Sequence, residues 1–264
     1  MIAITGATGQ LGQLVIEHLL KTVPAEQIVA IVRHPAKAEA LSQQGITVRQ
    51  GDYTDPATLT TALQGVEKLL LISSSEVGQR EAQHQNVINA AKAAGVKFIA
   101  YTSLLHADRS PLGLHVEHVA TENALAASGI PYALLRNGWY TENYLASVPP
   151  ALEHGVFIGA AGEGKIAAAP RADYAAAAAR VIASEGYSGK VYELAGDNAW
   201  TLSELVAEVS RQSGKTVSYQ NLSEADFAAA LKSVGLPAGL ADMLADSDAG
   251  AAKGGLFDDS HTLS

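Results

Sequence analysis

A doubly wound parallel α/β sheet with a smaller C-terminal α/β lobe is what this sequence predicts, on three observations. Apolar runs of strand length alternate with longer helical patterns from the first residue onward. One of those runs, Leu69-Leu70-Leu71-Ile72, is apolar without interruption, as a parallel strand buried on both faces should be. A glycine-rich turn, Gly6-Ala7-Thr8-Gly9-Gln10-Leu11-Gly12, joins the first strand to the first helix.

Strands are expected at Ile2–Thr5, Ile28–Val32, around Val48, and at Lys68–Ile72, Phe98–Thr102 and Tyr132–Leu135. Helices are expected near Leu11–Lys21, Ala57–Leu63, Glu81–Ala94 and Val116–Ala127. Asp55 before Pro56 reads as an N-cap with proline in the first turn. Gly95 and Gly129 read as helix C-caps. Beyond residue 137 the rhythm loosens at Pro149-Pro150 and at Gly155, Gly159, Gly162 and Gly164. A helix over Asp173–Ser184 follows, with Asp173 as its N-cap, and then segments at Val191–Leu194, Leu202–Ser213 and Ala225–Ser233. Residues 1–137 are thus expected to form a nucleotide-binding domain and 138–264 mainly a substrate lobe, some of whose segments return to the main sheet. The ending, Asp258 to Ser264, resembles the start of another helix.

Composition narrows the function. Hydrophobic residues make up 48% and charged residues 17%, ordinary values for a globular domain. A net charge of −9 argues against a nucleic-acid partner, which would need a basic face. No apolar run approaches the roughly 18 residues of a membrane span, and no signal peptide precedes Ile2, so a cytoplasmic location without membrane insertion is expected. With no cysteine, thiolate chemistry and zinc–cysteine sites are excluded. His106, His115 and His118 fall in one segment but without carboxylates at ligand spacing, so no metal is expected.

The spacing Gly6-x-x-Gly9-x-x-Gly12, placed between strand and helix, is the Rossmann-type dinucleotide signature: a tight turn, close approach to a pyrophosphate, and close helix–strand packing. Where an NAD-preferring site carries an acid to bind the ribose hydroxyls, this chain has Arg33, followed by His34 and Lys37. A guanidinium suits a 2′-phosphate, which points to NADPH. Ser73-Ser74-Ser75 follow the fourth strand at the carboxyl edge where such sheets bind ligands. Asp52, after the third strand, is placed either to reach the adenine or to shape a turn. Gly159-Ala160-Ala161-Gly162-Glu163-Gly164-Lys165 imitates a triphosphate-binding loop, but Ile166 stands where Ser or Thr would hold magnesium. A mobile flap is the expectation for that stretch.

With these residues placed, the chain resembles the atypical short-chain dehydrogenases of the NmrA-like group. The resemblance runs along Met1–Gly12, Leu70–Gly78, Ala100–Asp108, Leu135–Tyr140 and Ala228–Pro237. It implies a flavin-free reductase that passes hydride from NADPH to a quinone. Gly6, Ala7, Thr8, Gly9, Gln10, Leu11, Arg33, Ser73, Ser74 and Ser75 would contact the cofactor, and Gly138, Trp139, Tyr140, Thr141, Glu142 and Asn143 would lie beside its nicotinamide. The resemblance also implies chains that continue past this ending.

Short-chain dehydrogenases acting on alcohols use Tyr-x-x-x-Lys. Aligning Glu122 with the glutamate that commonly follows that lysine sets Leu114 and His118 in the two positions, so the usual proton donor is missing. Ser103 stands near where such enzymes carry a catalytic serine. Quinone reduction tolerates the loss, because the hydroquinone anion is a far weaker base than an alkoxide. Asn137 is the candidate polar group at the reacting end, with Trp139, Tyr140 and Tyr144 as an aromatic wall. An NADP(H)-binding redox sensor without turnover, or a reductase of dyes and other conjugated acceptors, are the alternatives.

Overall fold

The computed structural model describes residues 1–264. In chain order the elements are β1 (Ile2–Thr5), α1 (Gln10–Leu19), β2 (Ile28–Val32), α2 (Glu39–Gln43), β3 (Thr47–Gln50), α3 (Pro56–Ala62), β4 (Lys68–Leu71), α4 (Arg80–Ala94), β5 (Phe98–Leu104), α5 (His115–Ser128) and β6 (Tyr132–Asn137). There follow α6 (Glu142–Leu145), α7 (Val148–His154), β7 (Val156–Gly159), α8 (Arg171–Ala183), β8 (Val191–Leu194), α9 (Leu202–Ser213), β9 (Ser218–Asn221), α10 (Glu224–Ser233) and α11 (Ala238–Ala252). The chain divides into two units. The first is 1–104, 117–137 and 171–192; the second is 105–116, 138–170 and 193–264.

The large sheet has the order β3-β2-β1-β4-β5-β6-β8, and β7 pairs with β9 in a second, two-stranded sheet. The strand order reverses between β1 and β4, which opens a crevice at their carboxyl ends. Pairing from β3 through β6 is parallel, with Ile4 opposite Ala30 on one side and Leu70 on the other. Period-two alternation sends Ala3, Leu69, Leu71, Ile99 and Tyr101 to one face, where Leu59 of α3 and Leu63 just after it, Val87 and Ile88 of α4, and Leu125 of α5 cover them. Each such large apolar side chain contributes roughly 1.5–3 kcal/mol on burial. The chain ends of these helices are as expected: Asp55 accepts from Ala57 N at 3.2 Å, and Gly95 and Gly129 take left-handed conformations.

Four expectations need correction. Helix α8 starts at Arg171, so Asp173 sits in the first turn, where its charge still favours the helix dipole, and is not the cap. Pro149 and Pro150 do not break a segment; they occupy the first turn of α7, where no intrahelical N–H is required. The tail from Asp258 is not helical: His106 Nε2 pairs with Asp258 at 3.1 Å and His261 Nδ1 with Asp197 at 3.2 Å. The stretch imitating a triphosphate loop is packed rather than free-standing. A β-carbon at Gly164 would lie 2.9 Å from Ala252 Cα, Ile166 is buried and exchanges backbone hydrogen bonds with Trp200, and Lys165 pairs with Glu204. Close packing on α11 accounts for the glycine there.

Candidate functional site

The carboxyl ends of β1, β2, β3 and β4 enclose a cavity of about 560 Å³ within the first unit. Gly6, Thr8, Gly9, Gln10, Leu11, Arg33 and Ser73–Ser75 all line it, so residues up to 69 positions apart converge as the sequence motif requires. Ala7 is wholly buried beneath the loop, its N–H directed at Ile31 O. Gly6 turns with φ +60°, a left-handed conformation that favours glycine. Gly12 is the closest approach: a β-carbon there would lie 2.8 Å from Ala7 Cα and closer still to the Gly6 carbonyl oxygen. Helix α1 starts at Gln10 with no side chain capping it, so its first amides face the cavity end with the positive pole of the dipole. These features fit a pyrophosphate.

The loop after β4 is held from below by side chains of the first unit. Ser73 N donates to Thr102 Oγ1 at 2.9 Å, Ser74 N to His84 Nε2 at 2.9 Å, and Gly78 N to Glu117 Oε1 at 2.9 Å. Arg80 Nε donates to Ser74 O. Because His84 Nε2 accepts, its proton resides on Nδ1 and is donated to Thr121 Oγ1 at 2.9 Å. Burial, reinforced by the Arg80 guanidinium, lowers His84 to about 3. His118, 5% exposed, lies between Tyr101 OH at 2.7 Å and Arg80 Nη1 at 3.3 Å, and burial brings it down to about 3 as well. The position of the dehydrogenase lysine therefore carries a neutral ring that cannot lower a tyrosine's pKa by charge. Burial also raises Tyr101, which makes it a poorer acid than an exposed tyrosine.

Both histidines take up protons at about 6.5 in the unfolded chain but only near 3 when folded. Stability is thus complete above about pH 6.5 and falls as pH drops toward 3. The slope is about 1.4 kcal/mol per pH unit for each histidine. Urea midpoints of wild type and His84→Gln across this window are expected to differ in slope by about one proton. Equal slopes would remove His84 from this role.

Ser103 is not free for proton transfer. Its hydroxyl donates to Glu122 Oε1 at 2.6 Å, and Glu122 also accepts Arg136 Nε at 2.9 Å and Nη2 at 2.8 Å. Asp52 shapes a turn, accepting from Thr54 N at 2.8 Å and Oγ1 at 2.7 Å; the bonds to Thr54 hold its carboxyl below its usual value, with Arg33 a lesser contributor. Asn137 ends β6 nearly buried, and its Oδ1 has no hydrogen-bond partner. Gly138–Asn143 belong to the second unit, where Trp139 and Tyr140 are half-buried. Tyr144 is 5% exposed and packs edge-on against Trp200, so it belongs to that unit's core rather than to an aromatic wall. No group of three or more His, Asp or Glu side chains gathers closely enough to hold a metal ion, and no helix is long and apolar enough to cross a membrane. Glu76, Gln83 and His84 escaped the sequence reading. Gln83 and His84 lie on a helix after the loop, and nothing local marks which helical residues turn beneath it.

A glycine turn, an uncapped helix start and a cationic ribose end on one switch-point cavity define a dinucleotide-binding protein of the Rossmann type. The chain belongs to the NmrA-like family, matched over residues 1–259. It is 81% identical over 264 residues to quinone oxidoreductase 2 of Escherichia coli (strain K12), covering 100% of this chain and 92% of that protein. Among solved structures, NADPH-dependent quinone oxidoreductase from Escherichia coli complexed with NADPH superposes with a TM-score of 0.98 at 81% identity, covering 100% of this chain and 93% of that one. The Citrobacter sp. triphenylmethane reductase complexed with NADP(H) gives a TM-score of 0.93 at 42% identity, covering 100% and 94%.

Proposed function

We propose that this chain reduces quinones with NADPH by hydride transfer, without a flavin. The observation that carries the reading is the convergence of Gly6–Gly12, Arg33 and Ser73–Ser75 on one cavity, in a chain 81% identical to a quinone oxidoreductase. Bound NADPH supplies the hydride, and a quinone that accepts it needs only a proton from water to finish as hydroquinone. The protein's work is then binding and orientation. The amides of the α1 start take the pyrophosphate, Arg33 the 2′-phosphate, and the serine loop the adjoining ribose. The unpartnered Asn137 Oδ1 suits a donor such as the carboxamide of the nicotinamide. The segment Gly138–Asn143, which follows β6, is assigned to the nicotinamide end. A cytoplasmic location fits this reading, because reduced nicotinamide cofactors are held inside the cell.

The test is loss of dihydronicotinamide absorbance with a panel of small quinones, which are expected to be consumed in step with NADPH. Tight NADPH binding with no oxidation by any acceptor would favour the sensor, and oxidation by triphenylmethane dyes alone would favour a dye reductase. Charged hydrogen bonds contribute roughly 1.5–3 kcal/mol, so Arg33→Ala is expected to weaken NADPH about 10- to 100-fold. NADH should change little in a fluorescence titration. Equal weakening of both would take the 2′-phosphate away from Arg33.

A further inference from the structure

Arg33 has a counter-ion in the same cavity. Its Nη1 donates to Glu76 Oε1 at 3.1 Å, and both side chains line the cavity wall. Glu76 is tethered from the interior: its Oε2 accepts from Gln83 Nε2 at 2.9 Å, and its backbone N–H donates to Ser74 Oγ at 3.1 Å. Gln83 is 3% exposed, lines the cavity, and its Oε1 has no partner. Glu76 dictates that orientation, since a reversed amide would set its carbonyl oxygen against the carboxylate. The acid that dinucleotide sites commonly carry at the end of β2 is absent here, and a carboxylate reaches the same guanidinium from the loop after β4 instead.

We propose that Glu76 is a specificity-determining residue. It is the counter-ion of Arg33 in the free protein, it opposes the 2′-phosphate of NADPH, and it accepts the 2′-hydroxyl of NADH. The proposal rests on Arg33 taking the 2′-phosphate. A phosphate bonded to Arg33 brings its charge within roughly 5–6 Å of a carboxylate that Gln83 restrains from swinging away. In a water-like dielectric each pair of like unit charges at that distance costs a factor of about three to five in affinity. Salt screens the effect, because the pair is partly exposed. Glu76 thus narrows the preference that Arg33 creates, and the balance between the two sets the cofactor ratio.

Adenosine 2′,5′-bisphosphate and adenosine 5′-monophosphate differ only in the 2′-phosphate, so titrating both isolates this end of the site. Glu76→Gln, which keeps the shape and an acceptor for Gln83, is expected to bind the bisphosphate about three- to tenfold tighter. The monophosphate should be unchanged or weaker, and the gain should shrink in high salt. The NADPH-to-NADH affinity ratio should rise by the same factor. A bisphosphate affinity that stays level or falls overturns the proposal. Should Glu76→Gln fold poorly, Glu76→Ala serves, because the ratio of the two ligands carries the result. Arg33→Ala separates the two assignments. If it does not weaken the bisphosphate selectively, the placement of the 2′-phosphate fails. If it does so while Glu76→Gln leaves the ratio unmoved, Glu76 alone loses its role.

Discussion

Gly12→Ala is expected to weaken NADPH binding by at least about 100-fold. The added β-carbon would fall 2.8 Å from Ala7 Cα and nearer still to the Gly6 carbonyl oxygen, both backbone atoms that cannot rotate aside. Relief requires α1 to move off the turn, and its first amides move with it. Losing two charge-assisted hydrogen bonds to a pyrophosphate at roughly 1.5–3 kcal/mol each exceeds a hundredfold in affinity. Overpacking adds roughly 1–3 kcal/mol of instability, so the folded fraction is checked by circular dichroism before titration. Gly9→Ala is the graded control: its β-carbon would lie 3.2 Å from Gly6 O, which a small shift accommodates. Wild-type affinity in Gly12→Ala would mean that the helix start does not hold the pyrophosphate.

Glu122→Ala is expected to cost about 3–5 kcal/mol of stability, because it breaks a buried, hydrogen-bonded ion pair. Glu122 and Arg136 have side chains only 11% exposed each, joined by two nearly parallel bonds of 2.9 and 2.8 Å. Removing the carboxylate takes two charge-assisted hydrogen bonds from a guanidinium whose hydration was given up on folding, and Ser103 loses its acceptor too. For a chain of this size that corresponds to a fall in Tm of roughly 6–20 °C. A single variant within 1 kcal/mol of wild type would show the pair to be as weak as one on the surface.

The parallel sheet was legible because its signals are local. Leu69–Leu71 and Ile28–Val32 are apolar on both faces, and Asp55, Gly95 and Gly129 punctuate the helices by their own backbone preferences. Helix α11 was not legible: Ala238–Ala252 has Gly239 and Gly250 within it and little amphipathic contrast. It is fixed by packing, since a β-carbon at Gly250 would lie 2.6 Å from Leu112 Cδ1. Gly164 was misread as part of a mobile flap for the same reason, its small size serving the close approach of α11.

In the cofactor site the glycine turn, Arg33 and the serine loop could be read along the chain, because each follows a strand and the strand ends of one parallel sheet share an edge. That His118 is neutral and buried, that Ser103 is committed to Glu122, and that Arg33 faces Glu76 follows from packing alone. Charge state and hydrogen-bond partner depend on what burial brings within about 3 Å, and those partners are 17 to 43 residues away along the chain. Spacing along a sequence identifies which backbone turns will meet a ligand; it carries no record of which side chains close over one another when helix and sheet pack.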